Sequence, residues 1–227
     1  MRKIVSFVLL VIIAIGIAYS LPEIPFGETK SKVRKYYLNK GIEQTGATNI
    51  VTSVVVNYRG LDTLGEVTIL FLAAIGLSAV LYRKEEKERK KIRKSSLILY
   101  TGCRFLFPLI LLLGAYIFIH GHLTPGGGFQ GGAIIASGFL LVMLGCWEWG
   151  GINKSRFKIT ESLSGLTFVI VGLLGFLYGG YFLVNYLPKG NPNELFSAGI
   201  IPIIYIAIGF KVGSELAGII DDLLTSR

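Results

Sequence analysis

The sequence predicts an all-α, polytopic membrane protein of about six transmembrane helices, with both termini cytoplasmic. Three observations predict it. Of 227 residues, 52% are apolar, and the mean hydropathy is +0.62. Only 16% are charged, where a soluble domain carries about a quarter. The charges fall in clumps, and the uncharged runs between them reach the ~20 residues a helix needs to cross ~30 Å of hydrocarbon. A backbone in lipid must satisfy its polar groups within its own segment, so these runs are helices.

The first span is Ile4 to Leu21, preceded by Arg2 and Lys3. The pattern also fits a signal peptide cleaved near Ala18-Tyr19-Ser20; the expectation is a retained helix. Pro22 to Thr48 is polar and belongs on the membrane surface, partly helical. The second span begins near Asn49 and ends at Tyr82, too long for one crossing. Its start, Asn49 to Tyr58, is expected along the interface, and Val67 to Tyr82 carries no charge. Arg83 to Lys94 is the strongest charge cluster, with eight Lys or Arg and three Glu among its residues. It reads as a cytoplasmic connector between two modules.

The third span is Ser95 to Ile119, interrupted by Arg104 and Pro108. A turn from His120 to Gln130 leads into the fourth span, Gly131 to Trp149. A basic loop holds Lys154, Arg156 and Lys158. The fifth span is Ser162 to Leu187, and a polar turn, Pro188 to Glu194, precedes the sixth, Leu195 to about Ile220. Placing Arg83–Lys94 in the cytoplasm puts fourteen Lys and Arg inside and six outside. The inverted arrangement fits the positive-inside rule far worse.

The net charge of +9 does not indicate nucleic acid, because much of it sits in loops between spans, where it sets topology. The two cysteines, Cys103 and Cys146, lie far apart inside spans. They form no CxxC or CxxH spacing that would indicate zinc or an iron–sulfur cluster. The sequence offers no metal site and no ligand set for a cofactor.

Ionisable side chains inside a membrane cost ~2.5–3.5 kcal/mol each on insertion scales and are functional candidates by default. Arg59, Asp62 and Glu66, in Tyr58-Arg59-Gly60-Leu61-Asp62-Thr63-Leu64-Gly65-Glu66, share one helical face. Two carboxylates beside one guanidinium leave a negative charge that a proton or cation can balance. The alternative is a helix start, with the carboxylates in the first turn and Arg59 at the headgroups. The run Pro125-Gly126-Gly127-Gly128 and then Gly131-Gly132 ends one helix and frees backbone groups that could contact an ion. Alternatively it is a tight turn with glycines for close helix contact. His122 is a proton-active candidate or an ordinary interfacial histidine. Lys211 and Glu215, four residues apart, make either a neutralised pair or a proton relay. Glu148, Glu161 and Arg104 sit near span ends and are expected to snorkel.

Gly121-His122-Leu123-Thr124-Pro125-Gly126-Gly127-Gly128-Phe129-Gln130-Gly131-Gly132 resembles the signature of the Mrp antiporter B subunit, the MnhB family. That family is a four-helix protein corresponding to roughly Leu97 to Leu224. Asn49 to Tyr82 resembles the C-terminal tail of the Mrp A subunit, a piece that also occurs as a small separate subunit in membrane-bound hydrogenases. The resemblance implies a fusion: residues 1–82 as a two-helix module, 83–94 as the basic linker, and 95–227 as the four-helix module.

It further implies a multi-pass cell-membrane subunit of a cation/proton (Na+/H+) antiporter module, a transport subunit rather than an enzyme. Such modules stand alone or form the membrane arm of ferredoxin-driven hydrogenase or sulfur-reducing complexes. The implied partners are other Mrp-type subunits in a hetero-oligomer, hydrogenase-like and iron–sulfur subunits, the lipid bilayer, and Na+ and H+ as transported ions. Asp62 and Glu66 become ion-path carboxylates, and His122–Gly132 a structural or gating turn. The competing reading is a purely structural assembly subunit without ion-path residues.

Overall fold

In the computed structural model, the described residues are 2–21, 32–81, 95–146 and 154–225. Among them the regular structure is helical throughout: α1 (Arg2–Ser20), α2 (Lys32–Thr45), α3 (Ile50–Thr52), a π-helical turn (Ser53–Tyr58), α4 (Gly60–Leu81), α5 (Leu97–Ile119), α6 (Gly128–Gly145), α7 (Lys154–Gly179) and α8 (Ile201–Thr225). Five of these, α4 to α8, are long and apolar enough to cross a membrane, and α1 contributes a shorter apolar stretch, Phe7–Ser20. The chain divides into two compact units, Met1–Tyr36 and Tyr37–Arg227. The first holds α1, whose described side chains are exposed within that unit, together with the start of α2.

Several boundaries follow local chemistry that the hydropathy pattern does not resolve. The long second span is broken at Arg59, between the π-turn and α4. The Asn49 side chain caps α3 by accepting from the Val51 amide. The wider π-turn ends with the Arg59 amide donating to the Val54 carbonyl, and the Thr63 hydroxyl donates to the Val55 carbonyl. Ser96 caps α5 through the Leu99 amide, and α5 runs through Pro108 without interruption. α6 starts at Gly128, earlier than its expected Gly131. The linker 83–94, together with Glu148 and Trp149, lies outside the described residues.

The largest departure is at the fifth span. α7 stops at Gly179, not Leu187. The chain then folds back along α7, and the Leu183 amide donates to the Gly172 carbonyl at 3.1 Å. A Cβ on Gly172 would run into the Phe182 ring, and one on Gly175 would lie 2.8 Å from the Val184 amide. A hydropathy window counts this returning strip as helix because its residues are apolar. Its backbone bonds α7 instead, and its Asn185 side chain ties it to other segments, donating to the Thr45 and Ala198 carbonyls and accepting from the Ile200 amide.

α8 is the centre of the second unit. Of its most apolar stretch, 61% is buried, against 6% for α4. It packs on α6, α7, α4 and α5. Glycines set the approach. Gly128 and Gly132 on α6 meet Ile208, Gly209 and Gly213 on α8, so that a Cβ at Gly132 would lie 2.8 Å from the Gly209 carbonyl oxygen. On the other side of α6, a Cβ at Gly131 would lie 2.6 Å from the Gly114 oxygen of α5. Small residues four apart let helix backbones touch where no hydrophobic force between helices is available in lipid. Residues two apart on a helix point ~200° apart. With Gly209 and Gly213 against α6, Lys211 must therefore face the opposite side, toward α7 and α4.

Gly131→Leu is expected to force α5 and α6 apart at a cost of about 1–3 kcal/mol or more, lowering the thermal midpoint of the detergent-purified protein. Gly76→Ala meets nothing within 4 Å and is expected to be neutral or slightly stabilising; equal effects of the two would refute the close-packing argument.

Candidate functional site

Three polar groupings emerge. The first is the start of α4. Arg59 Nε donates to Asp62 Oδ2 at 2.6 Å, and both side chains are more than half exposed. Glu66, one turn on, is also exposed. The buried face of α4 is Gly60, Thr63 and Val67. Asp62 and Glu66 are turned ~180° and ~140° from Phe71, which with Ser78 reaches α8, counting ~100° per residue. The carboxylates thus share a face, as their spacing predicted, and that face is turned from the described helices of the second unit.

The second is the turn between α5 and α6. His122 is fully buried. Its backbone carbonyl accepts from the Asn49 amide at 3.0 Å, while the Asn49 side chain donates to the Gly121 and Thr124 carbonyls. The Thr52 hydroxyl also donates to the Gly121 carbonyl at 2.6 Å, and the Tyr205 hydroxyl of α8 donates to Thr52. Gly127, at φ +153°, lies against the Tyr205 ring. A Cβ on Gly126 would sit 3.0 Å from the Ile117 carbonyl oxygen. The turn is therefore stapled to α3 and α8.

Neither ring nitrogen of His122 makes a well-formed hydrogen bond. Burial holds its pKa below the usual histidine range, against the opposing pull of nearby backbone groups of Glu194, Leu195 and Ile119. His122 is thus neutral near pH 7 and sits apart from the carboxylates of α4.

The third grouping lies between α7, α8 and α4. Lys211 Nζ donates to Glu215 Oε2 at 3.2 Å and lies 3.5 Å from Glu161 Oε1. It also sits 4.9 Å from the centre of the Phe71 ring on α4, a cation–π arrangement. The Lys211 and Glu215 side chains are 10% and 1% exposed, and Glu161 is 18% exposed. The aliphatic stem of Lys211 runs past Gly165 of α7, one turn beyond Glu161. Further along α8, Asp222 accepts from Ser78 of α4 at 2.6 Å.

Glu161 is the member that sequence reasoning missed, having been expected to snorkel from a span end. The signal was available in helical phase. α7 begins at Lys154, so Glu161 lies two turns inside it. Ser164, Phe168 and Val171, at three, seven and ten residues beyond it, form the buried stripe of α7. Among the described residues no cluster of three or more His, Cys, Asp or Glu is arranged to hold a metal ion.

Residues 98–218 match the family model for a domain related to the MnhB subunit of the Na+/H+ antiporter, and residues 1–95 match that for the E subunit of MBH. A probable K+/H+ antiporter A/B subunit from Rhizobium meliloti is 32% identical over 75% of this chain, which spans 19% of that protein. A chain of the membrane-bound sulfane sulfur reductase, an archaeal respiratory membrane complex, superposes with a TM-score of 0.80. It is 50% identical over 98% of both chains. A chain of the Mrp complex from a Dietzia species gives a TM-score of 0.72 and 26% identity, covering 98% of this chain and 26% of that one.

The buried neutral His122 gives a signed pH dependence. Its folded pKa is depressed, so its contribution is fully present above the unfolded value of about 6.5 and is lost as pH falls through the window below it. His122→Leu is expected to flatten the fall in thermal midpoint between about pH 7 and pH 5; an equally steep fall in the variant would refute this. Thr52→Val removes the hydroxyl between Tyr205 and the Gly121 carbonyl and is expected to cost about 1–3 kcal/mol, measured by the same melts.

Proposed function

From the premise that the chain belongs to the MnhB family, we propose that it is a membrane subunit of a multi-subunit Na+/H+ antiporter module, working in the membrane arm of a redox-driven respiratory complex rather than in a stand-alone antiporter. The observation that carries this is the full-length likeness to a chain of an archaeal respiratory membrane complex, at 50% identity over 98% of both chains. The two family matches meet at the basic linker, in keeping with a fusion of modules 1–82 and 95–227 across 83–94. On this reading the chain transports as part of an assembly and catalyses no redox step itself. Its partners are other Mrp-type subunits, with hydrogenase-like and iron–sulfur subunits in the peripheral arm.

Asp62 and Glu66 support the assembly reading physically. Charges on the outward face of a membrane helix are costly against lipid. A neighbouring subunit on that face would shield them and complete an ion path of which they form one wall. The Lys and Arg count supports an orientation with the α4 start and the α5–α6 turn on the outer side of the membrane, and the linker and both termini in the cytoplasm. The second reading, a purely structural subunit, draws on the glycine contacts of α6 with α5 and α8, which do nothing but bring backbones together.

The complex recovered from native membranes in mild detergent is expected to contain antiporter-type subunits together with iron–sulfur subunits by mass spectrometry; antiporter subunits alone would overturn the redox assignment. Asp62→Asn and Glu66→Gln are each expected to abolish sodium-dependent proton exchange in membrane vesicles, with the complex still assembled. Normal exchange in both would leave the structural reading.

A further inference from the structure

The Glu161–Lys211–Glu215 cluster carries one positive and two negative groups in an interior where α6 supplies no ionisable side chain and α4 supplies none beyond Glu66. α7 contributes only Glu161 to it, its Lys154, Arg156 and Lys158 lying on the turns before. Arg104 of α5 sits over Tyr100, and the other ionisable residues of α8, Tyr205, Asp221 and Asp222, lie before and beyond the cluster on that helix. Fully ionised, the three groups sum to a net negative charge, which an apolar interior tolerates poorly. Lys211 engages both carboxylates, through Glu161 Oε1 and Glu215 Oε2. Glu215 Oε1 is buried and has no hydrogen-bond partner. An acceptor in that state is an orphan as a carboxylate oxygen, and it lies within a side chain that is 1% exposed.

We propose that this cluster is a proton-binding site built within the chain, holding one exchangeable proton on Glu215. One proton taken up by the carboxylate gives a carboxylic acid and brings the three groups to neutrality, with Lys211 left paired to Glu161. Glu161, the more exposed carboxylate, is the side from which the proton arrives and leaves, and Lys211 stands between the two. The Phe71 ring closes the α4 side against the ammonium. The site is separate from Asp62 and Glu66, which lie on the face of α4 turned away from it. Its use in transport rests on the antiporter reading above; its occupancy does not.

The test is infrared difference spectroscopy of the purified complex on a pH step, which reads the carbonyl stretch of protonated carboxylic acids without requiring transport. The wild-type complex is expected to show a protonated-acid signal that Glu215→Gln removes and Asp62→Asn leaves in place. Glu161→Gln is the sharper variant and does not depend on Glu215→Gln assembling. It leaves one lysine and one carboxylate, already neutral, so the same signal is expected to vanish although Glu215 is still present.

Lys211→Met is expected to add a second protonated-acid signal. A signal unchanged by both Glu161→Gln and Glu215→Gln overturns the proposal. Carboxylate bands that shift with sodium at constant pH, with no acid signal, overturn it in favour of a bound cation. The expected spectral pattern in a complex that exchanges no sodium would sink the transport reading and leave the proton site standing.

Discussion

A lysine and a glutamate placed well inside α8 must be kept from lipid, and much of the second unit's arrangement meets that demand. A single helix cannot hide its own polar face. Walls are needed on at least two sides, close enough to exclude hydrocarbon and shaped to leave the charged groups one another. α7 supplies one wall and the counter-charge Glu161, and α4 supplies another through Phe71. α6 closes the opposite side by bare backbone contact at Gly132 and Gly209. That last contact has a directional effect as well as a cohesive one. By committing the glycine face of α8 to α6, it fixes where Lys211 and Glu215 must point.

The architecture was legible in the sequence because membrane helices write themselves in composition. Uncharged runs separated by basic loops gave the long helices and their order. What hydropathy could not resolve were places where apolar residues are not helical. Residues 180–187 are apolar enough to extend a span, yet they turn back over Gly172 and Gly175. Glycines at those positions signalled close contact but not with what. The break at Arg59 was legible in the length of the run, which set Asn49 to Tyr58 apart from the crossing. Its π form was hidden, because a π-turn differs from an α-helix in which carbonyl each amide reaches, not in residue type.

The candidate site was legible only in part. The pairs Arg59–Asp62 and Lys211–Glu215 could be read from spacing along one helix. Glu161 could not be assigned to Lys211 by spacing, because the two belong to different helices, and its nearness to a basic loop favoured the surface. Its phase with Phe168 was the overlooked clue. His122 was singled out for its chemistry, and the structure gives it a neutral, enclosed setting at the turn that Asn49 and Thr52 grip.

Those grips have a consequence for how such proteins can be divided among genes. Asn49 and Thr52 precede the linker, whereas Gly121, Thr124 and Tyr205 follow it. Gly60 likewise receives Leu183 from the far side of it. Where the two modules are separate polypeptides, the corresponding contacts are an intermolecular interface. Joining the modules raises the effective concentration of one for the other to about the millimolar range that short tethers give. A seam built of α4 packed on α8, the Ser78–Asp222 and Asn185–Thr45 hydrogen bonds and the inserted Leu183 then needs less affinity of its own to hold register. Fusion therefore relaxes selection on interface affinity while leaving its geometry under full constraint.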